Sequence, residues 1–296
     1  MPGNPNWANV VLALHCDGTN GSTVITEATG KTLTAQNGAQ IRTDQSVFGG
    51  ASLFFDGSSG VALPASSSLD LPDAWTFKCR IRFGTLTGKQ QILTGNYPAV
   101  NCQIYCDSAG KIGVHGPGGD VSTSVSCGFV VGTWYALAVV HSGTSLYVYV
   151  NGSRVGSVLT YYGSITFSSG GFGAFYSGGN PWQVAYETFL GHLDEIQLTK
   201  GIAEHTGSSY TVETAPFDFF ELVLTYVSGT VLGVTGTPVA RTVRAYSHST
   251  GELQSSVVSN SVTGAYSLPV AGECYVVVLP DTSALNPLVQ GWLTPE

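Results

Sequence analysis

Charged residues are scarce in this chain of 296 residues, and their scarcity excludes several classes of protein. Asp, Glu, Lys and Arg together make up 10% of the sequence, against about a quarter in an average soluble domain. Lysine occurs only five times, whereas helical bundles use Glu, Lys, Ala and Leu in bulk. The net charge is −8 and the pI is about 5.1, so the basic surface that nucleic-acid binding requires is missing. We expect no nucleic-acid partner.

Long apolar runs and targeting signals are also missing. No run approaches the roughly 18 apolar residues of a membrane helix, so we expect no membrane insertion. The N-terminal MPGNPNWANVV has neither the basic nor the apolar region of a secretory signal. We therefore expect synthesis in a reducing cytoplasm without a signal peptide, where thiols stay free. Under that expectation the six cysteines are small buried hydrophobic residues: Cys16, Cys79, Cys102, Cys106, Cys127 and Cys274.

What the chain does have is glycine and alternating apolar residues. It contains 38 glycines, and 43% of its residues are hydrophobic. Trp75–Phe83 alternates apolar with polar side chains, which is typical of a strand with one buried face. Asn151-Gly152 lies between two such runs and predicts a tight hairpin. Gly201–His205 is the one segment that suggests a helical turn. The sequence therefore predicts an all-β fold built of antiparallel sandwiches.

A change in composition near Thr214 divides the chain. The predicted parts are an N-terminal arm at 1–9, a large sandwich at 10–217, a small sandwich at 222–280 and an extended tail at 281–296. About five short apolar runs fall within the small sandwich, which is enough for an independent β domain.

Three stretches of the large domain together resemble a known family. They are Leu12–Gly18 followed by the segment FGGASLFFDGSSGVAL that begins at Phe48, the hairpin Gly132–Gly152, and the closing segment Gly191–Phe217. These resemble the laminin-G-like, concanavalin-like jelly rolls found in bacteriophage virion proteins. The small domain is similar to Ig-like or transthyretin-like sandwiches that follow such jelly rolls. The resemblance thus implies a concanavalin/laminin-G-like jelly roll followed by a small Ig-like β-sandwich.

The resemblance also implies a function. We expect a non-enzymatic bacteriophage structural protein on the exterior of the virion, most simply a capsid decoration protein with a possible role in binding host-surface glycans. A tail-associated or tail-fibre receptor-binding protein is the alternative, and a polysaccharide-degrading jelly-roll enzyme is a further one. The implied partners are major capsid or tail proteins and further copies of this chain, by analogy as a trimer.

Catalytic chemistry finds little support in the residues. Glycoside hydrolysis needs two carboxylates that flank one bond. Asp194 and Glu195 are sequence neighbours, so on a regular strand they face opposite sides. No Gly-x-Ser-x-Gly motif marks a serine nucleophile. We therefore expect no catalytic residue.

Two binding sites are candidates. Laminin-G-like domains often hold Ca²⁺ at the sandwich rim, which makes a calcium site of Asp17, Asp56 and Asp194 possible, although calcium needs six to eight oxygens. The same aspartates also fit plain turns. The second candidate is a set of aromatic residues in glycine-rich loops, which suits contact with a glycan or with another protein and is also compatible with simple loop packing: Trp182, Tyr176, Tyr186, Tyr161 and Tyr162.

Overall fold

The chain divides into two compact units, Asn6–Phe219 and Phe220–Glu296 together with Met1–Pro5. A computed structural model describes residues 4–95, 102–117, 119–165, 170–176, 184–218, 225–233, 235–247, 251–270, 274–279 and 288–293. Within these residues the secondary structure is almost entirely strand, which confirms the all-β prediction. None of the helices in the described part of the chain has the length and apolarity to cross a membrane.

The larger unit is formed by strands β1 to β18 and two short 3-10 turns, Trp7–Asn9 and Ser67–Leu69. The strands are β1 (Val10–Leu14), β2 (Thr34–Gln36), β3 (Gln40–Arg42), β4 (Ser52–Asp56), β5 (Gly60–Leu63), β6 (Ala74–Phe83), β7 (Gln90–Gly95), β8 (Gln103–Cys106), β9 (Ile112–Gly116), β10 (Gly119–Ser122), β11 (Trp134–Ser142), β12 (Ser145–Val150), β13 (Ser153–Arg154), β14 (Leu159–Thr160), β15 (Gly170–Phe172), β16 (Phe175–Tyr176), β17 (Val184–Tyr186) and β18 (Leu190–Lys200).

Two antiparallel sheets enclose one core in this unit. The first sheet has the order β13-β12-β11-β6-β18-β4-β3, with β1 paired to β18 and β14 paired to β12. The second, which we call the seven-stranded sheet, has the order β10-β9-β8-β7-β15-β5-β2. Alternate residues of both sheets point inward, and the largest fully buried rings among them include Trp75, Phe55, Phe77, Phe83 and Phe172.

The predicted hairpin is present, whereas the predicted helical turn is wrong. Asn151 has a φ of 48° and Gly152 a φ of 78°, as a tight turn between β12 and β13 requires. Residues 201–205 form no helix. They begin a segment that crosses the outer face of the first sheet, where Glu204 binds the Lys78 ammonium at 2.7 Å. That buried ion pair fixes an extended path rather than a helical one.

The smaller unit has two sheets around a separate core. Its strands are β19 (Thr225–Thr230), β20 (Thr242–Ser247), β21 (Leu253–Val258), β22 (Ala265–Val270), β23 (Cys274–Val278) and β24 (Leu288–Leu293). β19 pairs with β22, and the other four form a sheet in the order β21-β20-β23-β24. The segment 281–296, predicted as an extended tail, thus contributes β24 to this sheet.

Candidate functional site

Asp194 and Glu195 lie at an irregularity in the middle of β18. Up to Leu193 this strand pairs with β4, and from Ile196 it pairs with β1 along the same edge. The register against β6 shifts between Asp194 and Gln197, and Glu195 has a φ of 46°. A bulge of this kind re-aims side chains, and here it turns both carboxylates into the protein, where each is at most 1% exposed.

Both carboxylates hold the fold together. Asp194 Oδ2 accepts hydrogen bonds from the backbone N–H groups of Val47 and Phe48, at 2.7 and 3.2 Å. Glu195 Oε1 lies 2.7 Å from His15 Nδ1, and its Oε2 accepts a hydrogen bond from the Phe217 N–H at 2.7 Å. The Glu195 hydrogen bond raises the pKa of His15 above its ordinary value. Neither carboxylate is free to act on a substrate.

The three aspartates considered for calcium do not form one site. Asp56 is exposed, and its Oδ1 accepts hydrogen bonds from the Ser58 N–H and hydroxyl. It pairs across from Leu190, four residues along β18 from Asp194. Asp17 lies beside Gly49, where a Cβ atom would stand 1.9 Å from its carboxylate. Among the described ranges, no group of three His, Cys, Asp or Glu residues is arranged to hold a metal ion.

A serine and a histidine do meet, but inside the protein. Ser52 Oγ donates to the Gln45 carbonyl at 2.6 Å and lies 2.9 Å from His192 Nδ1. Because its proton is committed to that carbonyl, the serine accepts from the histidine. Burial lowers the pKa of His192 to about 4. Ser52 is fully buried, so this pair is structural and offers no nucleophile.

The aromatic loop residues divide into different environments. Tyr161 is fully buried and packs edge-on against His141, so its proposed contact with a ligand is wrong: the ring is a core residue. Tyr162 is 59% exposed. The backbones of Tyr176 and Tyr186 lie in β16 and β17, and their side chains fall outside what the structure describes. Trp182 also lies outside the described residues.

A row of polar residues crosses the face of the seven-stranded sheet that points away from the core. In β8, Ile104 and Cys106 enter the core, so Gln103 and Tyr105 point to the opposite side. Gln91 in β7 and Asp120 in β10 lie on the same face. Lys89, just before β7, and Glu187, just after β17, complete the set. We call it the polar row: Lys89, Gln91, Gln103, Tyr105, Asp120 and Glu187.

Hydrogen bonds join the polar row into two groups. Gln91 Nε2 donates to Glu187 Oε2 at 2.5 Å and to Gln103 Oε1 at 3.4 Å. The Lys89 ammonium donates to the same Gln103 oxygen at 3.3 Å and pairs with Glu187 Oε2 at 3.4 Å. In the second group, the Tyr105 hydroxyl donates to Asp120 Oδ1 at 2.5 Å. The two groups meet where the Lys89 ammonium lies over the Tyr105 ring.

Tyr105 lies flat on the sheet. A Cβ atom added to Gly113, its cross-strand neighbour, would stand 2.2 Å from the Tyr105 Cζ atom. The Lys89 ammonium lies 4.0 Å from the centre of the same ring, in the range of a cation–π contact. Burial, together with the hydrogen bond to Asp120, raises the pKa of Tyr105. Because Gly113 has no side chain, the Tyr105 ring can lie against the sheet.

Two features of the polar row concern Gln91 and Glu187. Gln91 is fully buried, yet its Oε1 atom has no hydrogen-bond partner within the described protein. Such an acceptor costs about 1 to 3 kcal/mol when it is left unsatisfied. Glu187 has a φ of 56°, a conformation that is uncommon for residues other than glycine. The row therefore holds an unpartnered buried acceptor beside a residue with a left-handed backbone.

Sequence reasoning missed this site because its residues are spread over three strands and two loops. The pattern of each segment predicts a strand, but the order of the strands in the sheet cannot be predicted from the sequence of any one segment. One local signal exists: the alternation of Gln103 and Tyr105 with Cys102, Ile104 and Cys106 places two polar side chains on one face. The partners Asp120 and Glu187 carry no such signal.

The fold is a β-sandwich of the lectin/glucanase type. Residues 55–202, half of the chain, match the family Laminin_G_3, the concanavalin A-like lectin/glucanases superfamily, and the chain belongs to this family. The predicted jelly-roll fold of the large domain is thereby confirmed. The Ig-like character of the smaller unit and the bacteriophage origin stay predictions.

The solved structures that match this chain include three from different proteins. Domain 4 of AbnA, a GH43 extracellular arabinanase from Geobacillus stearothermophilus in complex with arabinotriose, is 18% identical over 65% of this chain and 93% of its own, with a TM-score of 0.49. Trypanosoma rangeli sialidase in complex with sialic acid is 15% identical, with a TM-score of 0.46, and the match spans only 31% of it and 65% of this chain. The receptor-binding domain of botulinum neurotoxin type G is 11% identical over 91% of this chain and 72% of its own, with a TM-score of 0.46. Comparison with curated proteins gives no match.

Proposed function

We propose that the larger unit binds a carbohydrate on the polar row. One observation carries the proposal: the exposed Asp120 carboxylate and the partly exposed Lys89 ammonium and Glu187 carboxylate gather around a tyrosine ring on the side of the sheet that points away from the core. Carboxylates accept hydrogen bonds from hydroxyl groups, and ammonium groups donate to them. The Tyr105 ring and the amides of Gln91 and Gln103 are each at most 5% exposed and hold these groups in place.

We further propose that this binding is not accompanied by catalysis. In the polar row the carboxylates are Glu187, at the edge of β7, and Asp120, on β10. Glu187 Oε2 is held by the Gln91 amide and the Lys89 ammonium, and Asp120 Oδ1 accepts a hydrogen bond from the Tyr105 hydroxyl. Glycoside hydrolysis needs two carboxyl groups that flank one bond, and both of these are already engaged within the protein. The other acidic pair, Asp194 and Glu195, is buried in structural hydrogen bonds.

The proposed setting is the exterior of a bacteriophage virion, as a decoration protein assembled in the host cytoplasm from several copies, a trimer by analogy. The resemblance of the three sequence stretches supports this setting. So does the low content of charged residues, because weakly charged surfaces suit dense assemblies in which like charges would repel. A tail-associated receptor-binding protein would use the same glycan site, and the two placements differ only in location on the particle.

A glycan array followed by calorimetric titration tests the binding function. We expect the purified chain to bind at least one class of oligosaccharide, and we expect no increase in reducing ends when that ligand is incubated with the protein. Absence of binding across the array would contradict the carbohydrate function. Release of new reducing ends would contradict the non-enzymatic assignment and favour a polysaccharide-degrading enzyme.

Electron cryo-microscopy of purified virus particles tests the setting. Density for this chain repeated over the capsid lattice supports a decoration protein, whereas density confined to the tail supports a tail-associated protein. Absence of the chain from the particle would contradict both placements.

A further inference from the structure

We propose that the polar row selects uncharged saccharides and rejects acidic ones. The inference rests on the carbohydrate-binding function proposed above and names the class of ligand. It follows from the balance of charge in the row and from the position of its one lysine.

Carboxylates outnumber cations in the polar row. Glu187 and Asp120 stand at its two ends, and Lys89 is its only basic residue. Asp107 adds a further negative charge nearby, since its field, like those of Asp120 and Glu187, raises the pKa of Tyr105. An acidic sugar bound at the polar row would therefore be repelled by carboxylates that carry the same negative charge. The net charge of −8 for the whole chain acts in the same direction.

Lys89 cannot neutralise the negative charge of an acidic ligand while its ammonium keeps its present contacts. Its ammonium already pairs with Glu187 at 3.4 Å, donates to Gln103 at 3.3 Å and lies over the Tyr105 ring at 4.0 Å. A carboxylate on the ligand would have to remove it from three partners. The uncharged hydroxyl groups of a neutral sugar, by contrast, find ready acceptors in the two carboxylates.

The test compares two oligosaccharides that share one backbone and differ only in a terminal sialic or uronic acid. We expect the wild-type chain to bind the neutral member at least tenfold more tightly. We also expect this ratio to fall as NaCl is raised from 20 to 500 mM, because salt screens repulsion between partly exposed charges. The neutral ligand's own affinity should change little with salt.

Glu187→Gln is the diagnostic variant. It removes one carboxylate and with it the ion-pair partner of Lys89, which keeps Gln103 and the Tyr105 ring, so we expect the preference for the neutral member to narrow by fivefold or more through a gain in acidic binding. Asp44→Asn is the matched control, because it removes one exposed carboxylate of the same unit outside the row and should leave the ratio unchanged. Circular dichroism and thermal unfolding establish that both variants are folded.

Each result has a definite consequence. Equal or tighter binding of the acidic member by wild type would overturn the selectivity and leave the carbohydrate function standing. An equal effect of Asp44→Asn and Glu187→Gln would also overturn it, because the preference would then follow net charge alone. Binding of neither oligosaccharide, with no ligand found on the array, would remove the carbohydrate function and the selectivity together.

Discussion

The ammonium of Lys89 lies 4.0 Å from the centre of the Tyr105 ring and 3.4 Å from the carboxylate of Glu187. A lysine, a tyrosine and a glutamate from different segments thus converge on one surface of the seven-stranded sheet. The ring beneath the lysine is flat against Gly113. This arrangement distinguishes the surface from an ordinary solvated sheet face, where lysine side chains extend into water.

Gly113→Ala tests whether the flat position of Tyr105 matters for binding. The new methyl group would overlap the ring, which must lift away from the sheet and lose its hydrogen bond to Asp120. We expect the affinity for the oligosaccharide to fall at least tenfold in calorimetric titration. Gly207→Ala is the control, because a Cβ atom there meets nothing closer than 3.7 Å. Equal affinities of the two variants would refute a role for the ring.

Asp194→Ala tests the structural role of the β18 bulge. Its carboxylate accepts hydrogen bonds from the N–H groups of Val47 and Phe48, and both would lose their partner. We expect the free energy of unfolding to fall by about 3 kcal/mol, since unsatisfied buried donors cost about 1 to 3 kcal/mol each. Urea denaturation measures it. Asp44→Ala, at an exposed site, should change it by less than about 0.5 kcal/mol.

Lys78→Met tests the ion pairs that hold the segment after β18. The ammonium binds Glu204 at 2.7 Å and Glu213 at 3.0 Å while its own side chain is 9% exposed. Removing it leaves the Glu204 carboxylate buried without its cation, so we expect a loss of about 3 kcal/mol in urea denaturation. Lys111→Met is the comparison at a less buried lysine. A loss below about 1 kcal/mol for Lys78→Met would show that this ion pair contributes little.

His192 predicts a dependence of stability on pH. Burial, reinforced by Arg82 and Arg42 and opposed by Asp44, lowers its pKa to about 4 in the folded chain, against about 6.5 when unfolded. Between these values His192 binds a proton more readily in the unfolded chain, so the contribution of His192 to the free energy of unfolding decreases as the pH falls from about 6.5 to 4. We expect His192→Asn to flatten this part of the profile of wild type. Parallel profiles for the two proteins would contradict the assignment to His192.

The sequence predicted those features that depend on local pattern. Alternation identified strands such as Trp75–Phe83, now β6, and the Asn151-Gly152 turn followed from its tolerance of positive φ. The relation of Asp194 to its neighbour was treated as that of a regular strand. The bulge at Glu195 could not be foreseen, because it arises where β4 ends and β1 begins along one edge of β18.

The polar row could not be predicted for a related reason. Its members become neighbours only through the order β10-β9-β8-β7, and Glu187 joins them from a loop nearly a hundred residues further along the chain than Lys89 and Gln91. The opposite error occurred at Tyr161. A tyrosine in a glycine-rich, polar stretch suggests exposure, yet its ring fills the space beside His141 in the core.

Titration of the oligosaccharide against four forms of the chain tests the central claim most directly. The forms are wild type, Tyr105→Ala in the polar row, Gln103→Ala as a milder change in the row, and Tyr162→Ala at the exposed tyrosine of the loop. The account predicts at least a tenfold loss of affinity for Tyr105→Ala and Gln103→Ala, with Tyr162→Ala equal to wild type. Loss of affinity in Tyr162→Ala, with both row variants unchanged and folded, would place the ligand on the aromatic loops and contradict the account.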